Sequence, residues 1–166
     1  MFTGWKIYTF KVDIETPDGV VKIKSSECEK YEKYAKNMDV EKVNEILEKY
    51  PALIYYKVYD NGKKLLLFYS LYHCNVDMMQ CALKHGEQFN DPKLNINNDF
   101  LYRFFQNVDG NTTDEMIDTI HFALEHDAKI VSEDWNFYEE AEEWVQEDGV
   151  ISPKDEELLN LIKKYL

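Results

Sequence analysis

The most constraining feature of this sequence is the succession of short segments between residues 60 and 86. Turn-forming residues at 60–63 precede a short apolar segment at 64–73, and a polar stretch then leads into a second amphipathic segment. Gly86 is placed to end that second helix, because glycine readily adopts the left-handed conformation found just after helices. The order of turn, helix, tight turn, helix and glycine predicts a helical hairpin that forms one unit of a larger array.

The apolar spacing of the second helix recurs along the chain. Leu47, Leu83, Leu124 and Ile162 occupy equivalent positions, separated by 36, 41 and 38 residues. A period of this size indicates stacked helical repeats. We therefore predict a single domain over residues 1–166, with helix pairs in 26–59, 60–96, 97–132 and 133–166. The first helices of the pairs are expected near 29–37, 64–73, 99–107 and 137–147.

Residues 1–25 follow a different pattern. Apolar and polar side chains alternate on both sides of Thr16-Pro17-Asp18-Gly19, which predicts a β-hairpin. The predicted fold is therefore mainly α, with an N-terminal β-hairpin followed by about four stacked antiparallel helix pairs. The hairpin is expected either to cover the apolar edge of the first pair or to offer a strand edge to a partner.

Helix-capping residues support the same boundaries. Asp39 and Asn75 can each cap a second helix, Thr112 with Glu115 has the spacing of a capping box, and Ser152 precedes a proline suited to the first helical position.

These segments resemble the ankyrin-repeat family. Residues 60–63 are similar to the family's turn before its first helix, and 76–86 are similar to its second helix with a His-Gly ending. The resemblance extends over about residues 27–166, although Asp127 stands where the family prefers glycine, and Lys64-Leu65-Leu66-Leu67 replaces its Thr-Pro-Leu-His signature. It implies a solenoid that binds other proteins. An unrelated helical bundle or another solenoid would share the alternation of helix and turn.

The charge of the chain restricts the class of partner. There are 19 basic and 32 acidic side chains, which give a net charge of -13. Nucleic acids and acidic membranes both need lysine and arginine to neutralise their phosphates, so neither is an expected ligand. A basic protein is the complementary partner, while solubility alone also accounts for an acidic composition.

Three cysteines are too few and too irregularly spaced for a disulfide framework. The sequence has no run of 18 apolar residues, and its N-terminus lacks the pattern of a signal peptide. We therefore expect a cytoplasmic protein. Cys28 lies in an acidic run that is expected to be exposed, where neighbouring charge disfavours a thiolate.

No catalytic or metal motif stands out. Cys81 and His85 are four residues apart, with His73 and Cys74 just upstream, which is ligand-like chemistry for zinc. A helix-end histidine and a small buried cysteine explain the same residues more simply, so no metal, cofactor or catalytic residue is predicted. The exposed carboxylates lack the burial that would displace their pKa values for acid catalysis.

Aromatic and acidic residues are the predicted partner contacts. Tyrosine and tryptophan are favoured interface anchors, and four of them fall in the predicted turns between helix pairs. The last 36 residues contain 11 acids and 3 lysines, a net charge of -8, which would attract a basic partner. The candidate contacts are Tyr55, Tyr56, Tyr59, Trp135, Glu139, Glu140 and Glu143.

These observations favour a non-enzymatic binding module. Small acidic proteins with degenerate repeats are similar to bacterial toxin-immunity proteins, and that resemblance implies inhibition of a basic toxin by covering its surface. Two alternatives remain open: a phage- or virus-encoded inhibitor that mimics DNA, and a scaffold repeat protein whose charge serves only solubility.

Overall fold

The structure is a computed structural model that describes residues 10–59, 63–89, 112–128 and 152–165. Over these ranges the fold is mainly α with an N-terminal β-hairpin, as predicted. The six α-helices within these ranges are α1 (Ser25–Lys36), α2 (Val40–Lys49), α3 (Leu66–Tyr72), α4 (Val76–Lys84), α5 (Asp114–Glu125) and α6 (Pro153–Tyr165). The strands are β1 (Lys11–Thr16), β2 (Gly19–Lys24), β3 (Val58–Tyr59) and β4 (Lys63–Lys64), and a 3₁₀ helix covers Pro51–Tyr55.

The N-terminal hairpin is an antiparallel pair closed by a two-residue turn. Thr16 pairs with Gly19, whose φ of 124° is readily available only to glycine. Ile14 and Ile23 point to the inner face, where they are 3% and 5% exposed, and the hairpin packs against α1 and the 3₁₀ helix. The hairpin therefore covers the apolar surface at the first helix pair, which is one of its two expected roles.

The first two helix pairs have the same turn. The main-chain N–H groups of Asn37, Met38 and Asp39 donate to the carbonyls of Lys33, Ala35 and Tyr34. The same three bonds recur 36 residues later, from His73, Cys74 and Asn75 to Tyr69, Leu71 and Ser70. Met38 and Cys74 are both left-handed, with φ of 52° and 51°. The two helix hairpins thus close with the same main-chain hydrogen bonds.

The second helices also begin in the same way. In each one, the N-cap side chain accepts a hydrogen bond from the main-chain N–H three residues later. The N-caps are Asp39, Asn75, Thr113 and Ser152. The prediction of Thr112 as a cap is wrong by one residue, because the Thr112 hydroxyl instead donates to Asp155 of α6.

The helices at the positions predicted for second helices pack in a row in chain order, with α2 on α4, α4 on α5, and α5 on α6. Their apolar faces share one buried core with the hairpin and the first helices. Helix α1 begins four residues before the predicted start, and α3 occupies 66–72 of the predicted 64–73. The first helices predicted at 99–107 and 137–147 lie outside the described residues. No helix in the described ranges is long and apolar enough to cross a bilayer.

Candidate partner-binding surface

Three of the predicted tyrosine anchors follow α2. Pro51 occupies the start of the 3₁₀ helix, where its fixed φ suits helical geometry and its missing N–H costs no hydrogen bond. Tyr55 is the last residue of that helix, Tyr56 follows it, and Tyr59 lies in β3 opposite Lys63. These positions are a 3₁₀ helix and a strand rather than the plain turn that the sequence suggested. Trp135 lies outside the described residues.

Tyr56 is half-buried and packs on the first helix pair. Its ring meets the ring of Tyr31 edge to face, with centroids 6.4 Å apart. Burial raises the pKa of the Tyr56 hydroxyl, and the negative charge of Glu32 raises it further. The tyrosine therefore lies near Glu32 of α1, where its phenol stays protonated and can act as a hydrogen-bond donor.

Helices α1 and α3 carry different residue types at positions 36 residues apart. In α1, Glu32 and Lys36 form a salt bridge of 2.8 Å. The residues 36 positions later are Phe68, which is half-buried, and Tyr72, which is 37% exposed. The charged pair of α1 and the aromatic pair of α3 thus lie 36 residues apart in the chain, and we call these four residues together with Tyr56 the first-helix surface.

Phe68 and Tyr72 were not among the residues that the sequence singled out. Their spacing of four residues places them on the same side of a helix, and the 36-residue offset aligns them with Glu32 and Lys36. That signal was present in the sequence. An apolar run in a short helix ordinarily predicts core positions, so the sequence pattern alone does not identify these two residues as surface residues.

The acidic contacts predicted at Glu139, Glu140 and Glu143 lie outside the described residues. Within the described ranges, acidic side chains are exposed on α5, and Asp114 pairs with Lys154 of α6 at 2.7 Å. Residues 152–165 hold three acids and three lysines. The C-terminal charge excess therefore resides in 131–151.

The residues considered for zinc are occupied by other interactions. Cys81 is buried, and burial raises the pKa of its thiol. His85 Nε2 lies 3.0 Å from Oδ1 of Asn44 on α2, and burial lowers the pKa of its imidazole. The His73 ring packs at a tilt against the Tyr69 ring, with centroids 4.5 Å apart. Across the described part of the chain, no three or more His, Cys, Asp or Glu side chains are grouped as metal ligands.

Cys28 is buried, with 1% of its surface exposed, so the expectation of an exposed position is wrong. It lies on the inner side of α1 together with Tyr31 and Ala35, which share its face by helical spacing. Burial raises the pKa of the thiol, and the charges of Glu27 and Glu29 raise it further. A protonated, inaccessible thiol is a poor nucleophile.

Within the described part of the chain, the most perturbed carboxyl group is that of Glu87, which is 3% exposed and follows Gly86 at the end of α4. Burial raises its pKa to about 8. Its Oε1 accepts from the N–H of Leu66 at 3.1 Å, and its Oε2 accepts from the N–H of Leu67 at 2.7 Å. Both oxygens are therefore engaged with the first turn of α3, which gives this group a structural role instead of an open reactive site.

The described residues thus combine a row of second helices with a mixed aromatic and charged first-helix surface. No protein-family model, no curated protein and no solved structure matches this chain.

Proposed function

We propose that this chain is a cytoplasmic, non-enzymatic protein-binding module with an ankyrin-like solenoid fold, which inhibits a basic toxin by covering its surface. The observation that carries the proposal is the recurrence, after 36 residues, of the same three turn hydrogen bonds. Repeating units that contact only their neighbours build an extended surface, and such surfaces commonly bind proteins.

The row of second helices supports the solenoid interpretation. In the described residues α2, α4, α5 and α6 pack in chain order, as the second helices of a solenoid would. The first-helix surface offers the half-buried Phe68 and the exposed Tyr72 on α3, and the salt bridge between Glu32 and Lys36 on α1. Aromatic anchors surrounded by charged groups are typical of protein interfaces.

Charge supports the choice of partner. A net charge of -13 would steer a basic protein towards the chain and accelerate their encounter at low ionic strength. The aromatic anchors would hold the complex after that encounter. In this proposal Tyr55, Tyr56, Tyr59 and Trp135 supply anchors, while Glu139, Glu140 and Glu143 meet basic side chains of the toxin.

The test is co-purification of the untagged protein with the products of neighbouring genes at about 0.15 M salt, a physiological ionic strength. A basic toxin that remains bound in stoichiometric amount should lose its activity when the protein is added. Its association rate should fall as salt is raised, because screening shortens the reach of the charges.

A matched pair of variants examines the first-helix surface. Tyr72→Ala should weaken the complex about tenfold or more if Tyr72 is an anchor. Tyr165→Ala, on α6, removes an equally exposed ring, since both tyrosines are 37% exposed. Equal affinity in the two variants, or a bound toxin that stays fully active, would contradict the proposal.

A further inference from the structure

A basic pocket lies between β2 and the end of α2. It has a volume of about 390 Å³ and is lined by Lys11, Lys22, Lys24 and Lys49, with apolar residues of β2 and the start of the 3₁₀ helix between them. Four lysines around one pocket stand out in a chain whose net charge is -13.

Two of these lysines face each other across the hairpin. Lys11 and Lys24 are register partners in β1 and β2. The N–H of Ser25 donates to the carbonyl of Phe10, so by alternation the next pair, Lys11 and Lys24, is not hydrogen-bonded. Side chains are closest in such pairs, and like charges directly opposite destabilise a sheet. An anion between the two ammonium groups would relieve this repulsion.

The neighbouring pair shows how a carboxylate fits at this position. Asp13 and Lys22 are also opposite each other, and their side chains form an ion pair of 3.5 Å. Lys49 projects from the end of α2, with its Nζ 5.1 Å from the centre of the Tyr50 ring. Among the described residues, Lys11, Lys24 and Lys49 form no ion pair with an acidic side chain.

Strand β2 also presents an edge. The alternation that leaves Lys11 and Lys24 without mutual hydrogen bonds directs the N–H and C=O groups of Val20 and Lys22, and the N–H of Lys24, away from β1. In the described ranges these groups have no main-chain partner, since β2 pairs only with β1. An unpaired edge can accept another extended strand, whose side chains alternate between the two faces.

We propose that this pocket binds an acidic, extended segment of a partner protein. The segment adds to the open edge of β2, and its carboxylates pair with Lys11, Lys24 and Lys49. The net negative charge of the chain does not prevent this, because screening at physiological salt limits distant charges to about 8 Å. This contact has the opposite sign to the one with a basic toxin surface, so it goes beyond the proposed function and does not depend on it.

The test uses the full chain and a fluorescein-labelled peptide of alternating glutamate and valine. Fluorescence anisotropy should show saturable binding at low salt, and the amide resonances of Val20, Lys22 and Lys24 should shift in an NMR titration. Lys11→Ala and Lys24→Ala should each weaken binding about two- to fivefold, as expected for exposed ion pairs. The double variant should weaken it about tenfold, if the two losses add.

Lys33→Ala is the matched control, since it removes an exposed lysine of α1 that lies outside the pocket. It should leave the affinity unchanged. The proposal is overturned if Lys33→Ala weakens peptide binding as much as Lys24→Ala does. It is also overturned if a lysine–valine peptide binds equally well, or if the glutamate–valine peptide does not bind at millimolar concentration. It is also overturned if the double variant only aggregates more readily, because the lysines then merely protect a strand edge.

Discussion

Glu87 is joined to Leu67 by a hydrogen bond of 2.7 Å between a carboxylate oxygen and a main-chain N–H twenty residues earlier in the chain. The carboxyl group is buried, and burial raises its pKa to about 8, against an ordinary value of 4.5. Glu87 therefore connects the end of α4 to the beginning of α3. The stability of this contact depends on whether the carboxyl group is protonated.

The first prediction concerns the pH dependence of stability. Because the folded chain holds the Glu87 proton more tightly than the unfolded chain, the contribution is complete below about pH 4.5 and is lost as pH rises towards 8. The free energy of unfolding should fall by about 3 kcal/mol between pH 5 and pH 8 on account of this group. Urea denaturation at a series of pH values measures the change.

Two glutamine variants separate Glu87 from the other acids. Glu87→Gln should flatten the profile between pH 5 and pH 8, because the variant has no proton to lose there. Glu45→Gln makes the same chemical change at an exposed position of α2 and should retain the wild-type slope. A slope that survives in Glu87→Gln would show that another group is responsible.

The second prediction concerns Tyr31, which is fully buried and whose hydroxyl has no hydrogen-bond partner among the described residues. Burial raises the pKa of this phenol well above its ordinary value, and the charge of Glu87 raises it further. Tyr31→Phe should leave the free energy of unfolding unchanged or raise it by up to about 1 kcal/mol, since it removes an unsatisfied polar group. Urea denaturation near pH 6 provides the measurement.

Tyr31→Ala serves as the comparison, because removing the whole ring should cost about 3 to 5 kcal/mol. A loss of more than about 1 kcal/mol in Tyr31→Phe would mean that the hydroxyl makes a stabilising hydrogen bond in solution.

The third prediction concerns the ends of α4 and α5. The carbonyl of Ala82 accepts from Glu87 around Gly86, whose φ is 102°, and the carbonyl of Ala123 accepts from Ala128 around Asp127, whose φ is 67°. Gly86→Ala should lower the free energy of unfolding by about 1 to 2 kcal/mol through backbone strain alone. No atom of the described residues lies within 4 Å of the added methyl group.

The converse change, Asp127→Gly, should raise thermal stability, by up to about 1 kcal/mol in free energy. Gln88→Ala, at an exposed position two residues after Gly86, is the control and should have little effect. If Gly86→Ala were neutral, the left-handed turn would not be a requirement of the fold.

The fourth prediction concerns the cap of α4. Asn75 accepts from the N–H of Met78 at 2.9 Å, so Asn75→Ala should lower the free energy of unfolding by about 1 kcal/mol. Asn75→Asp retains an acceptor and should largely preserve stability. Asn37→Ala, at the exposed end of α1, should change stability little. Equal losses of unfolding free energy in Asn37→Ala and Asn75→Ala would show that the missing cap is not the cause of the destabilisation.

Local chemistry was the part of the fold that the sequence made predictable. Asp39, Asn75 and Ser152 cap helices as expected, because a cap depends only on a side chain and an N–H three residues away. The hairpin turn at Pro17 and Asp18 was predictable for the same reason. Thr112 and Thr113 could not be distinguished, since the choice between them depends on Asp155, 43 residues distant from Thr112.

Contacts between residues far apart in the sequence could not be predicted from local chemistry. Glu87 would be assigned to the surface from its residue type, and only the chain reversal after Gly86 brings it to the start of α3. Cys28 was misplaced because its acidic neighbours lie on the exposed side of α1 while the cysteine lies on the inner side. The lysine pocket likewise needs the hairpin to fold back against the end of α2.

The hairpin covers the apolar surface of the first helix pair, since Ile14 and Ile23 lie in the core beside α1. In the solenoid that we propose, a duplicated helix pair would join the array without disturbing this contact. Each addition would lengthen the proposed array by roughly the distance between packed helices, about 10 Å. Such an array could grow in discrete increments, with the hairpin as a fixed origin from which the increments are counted.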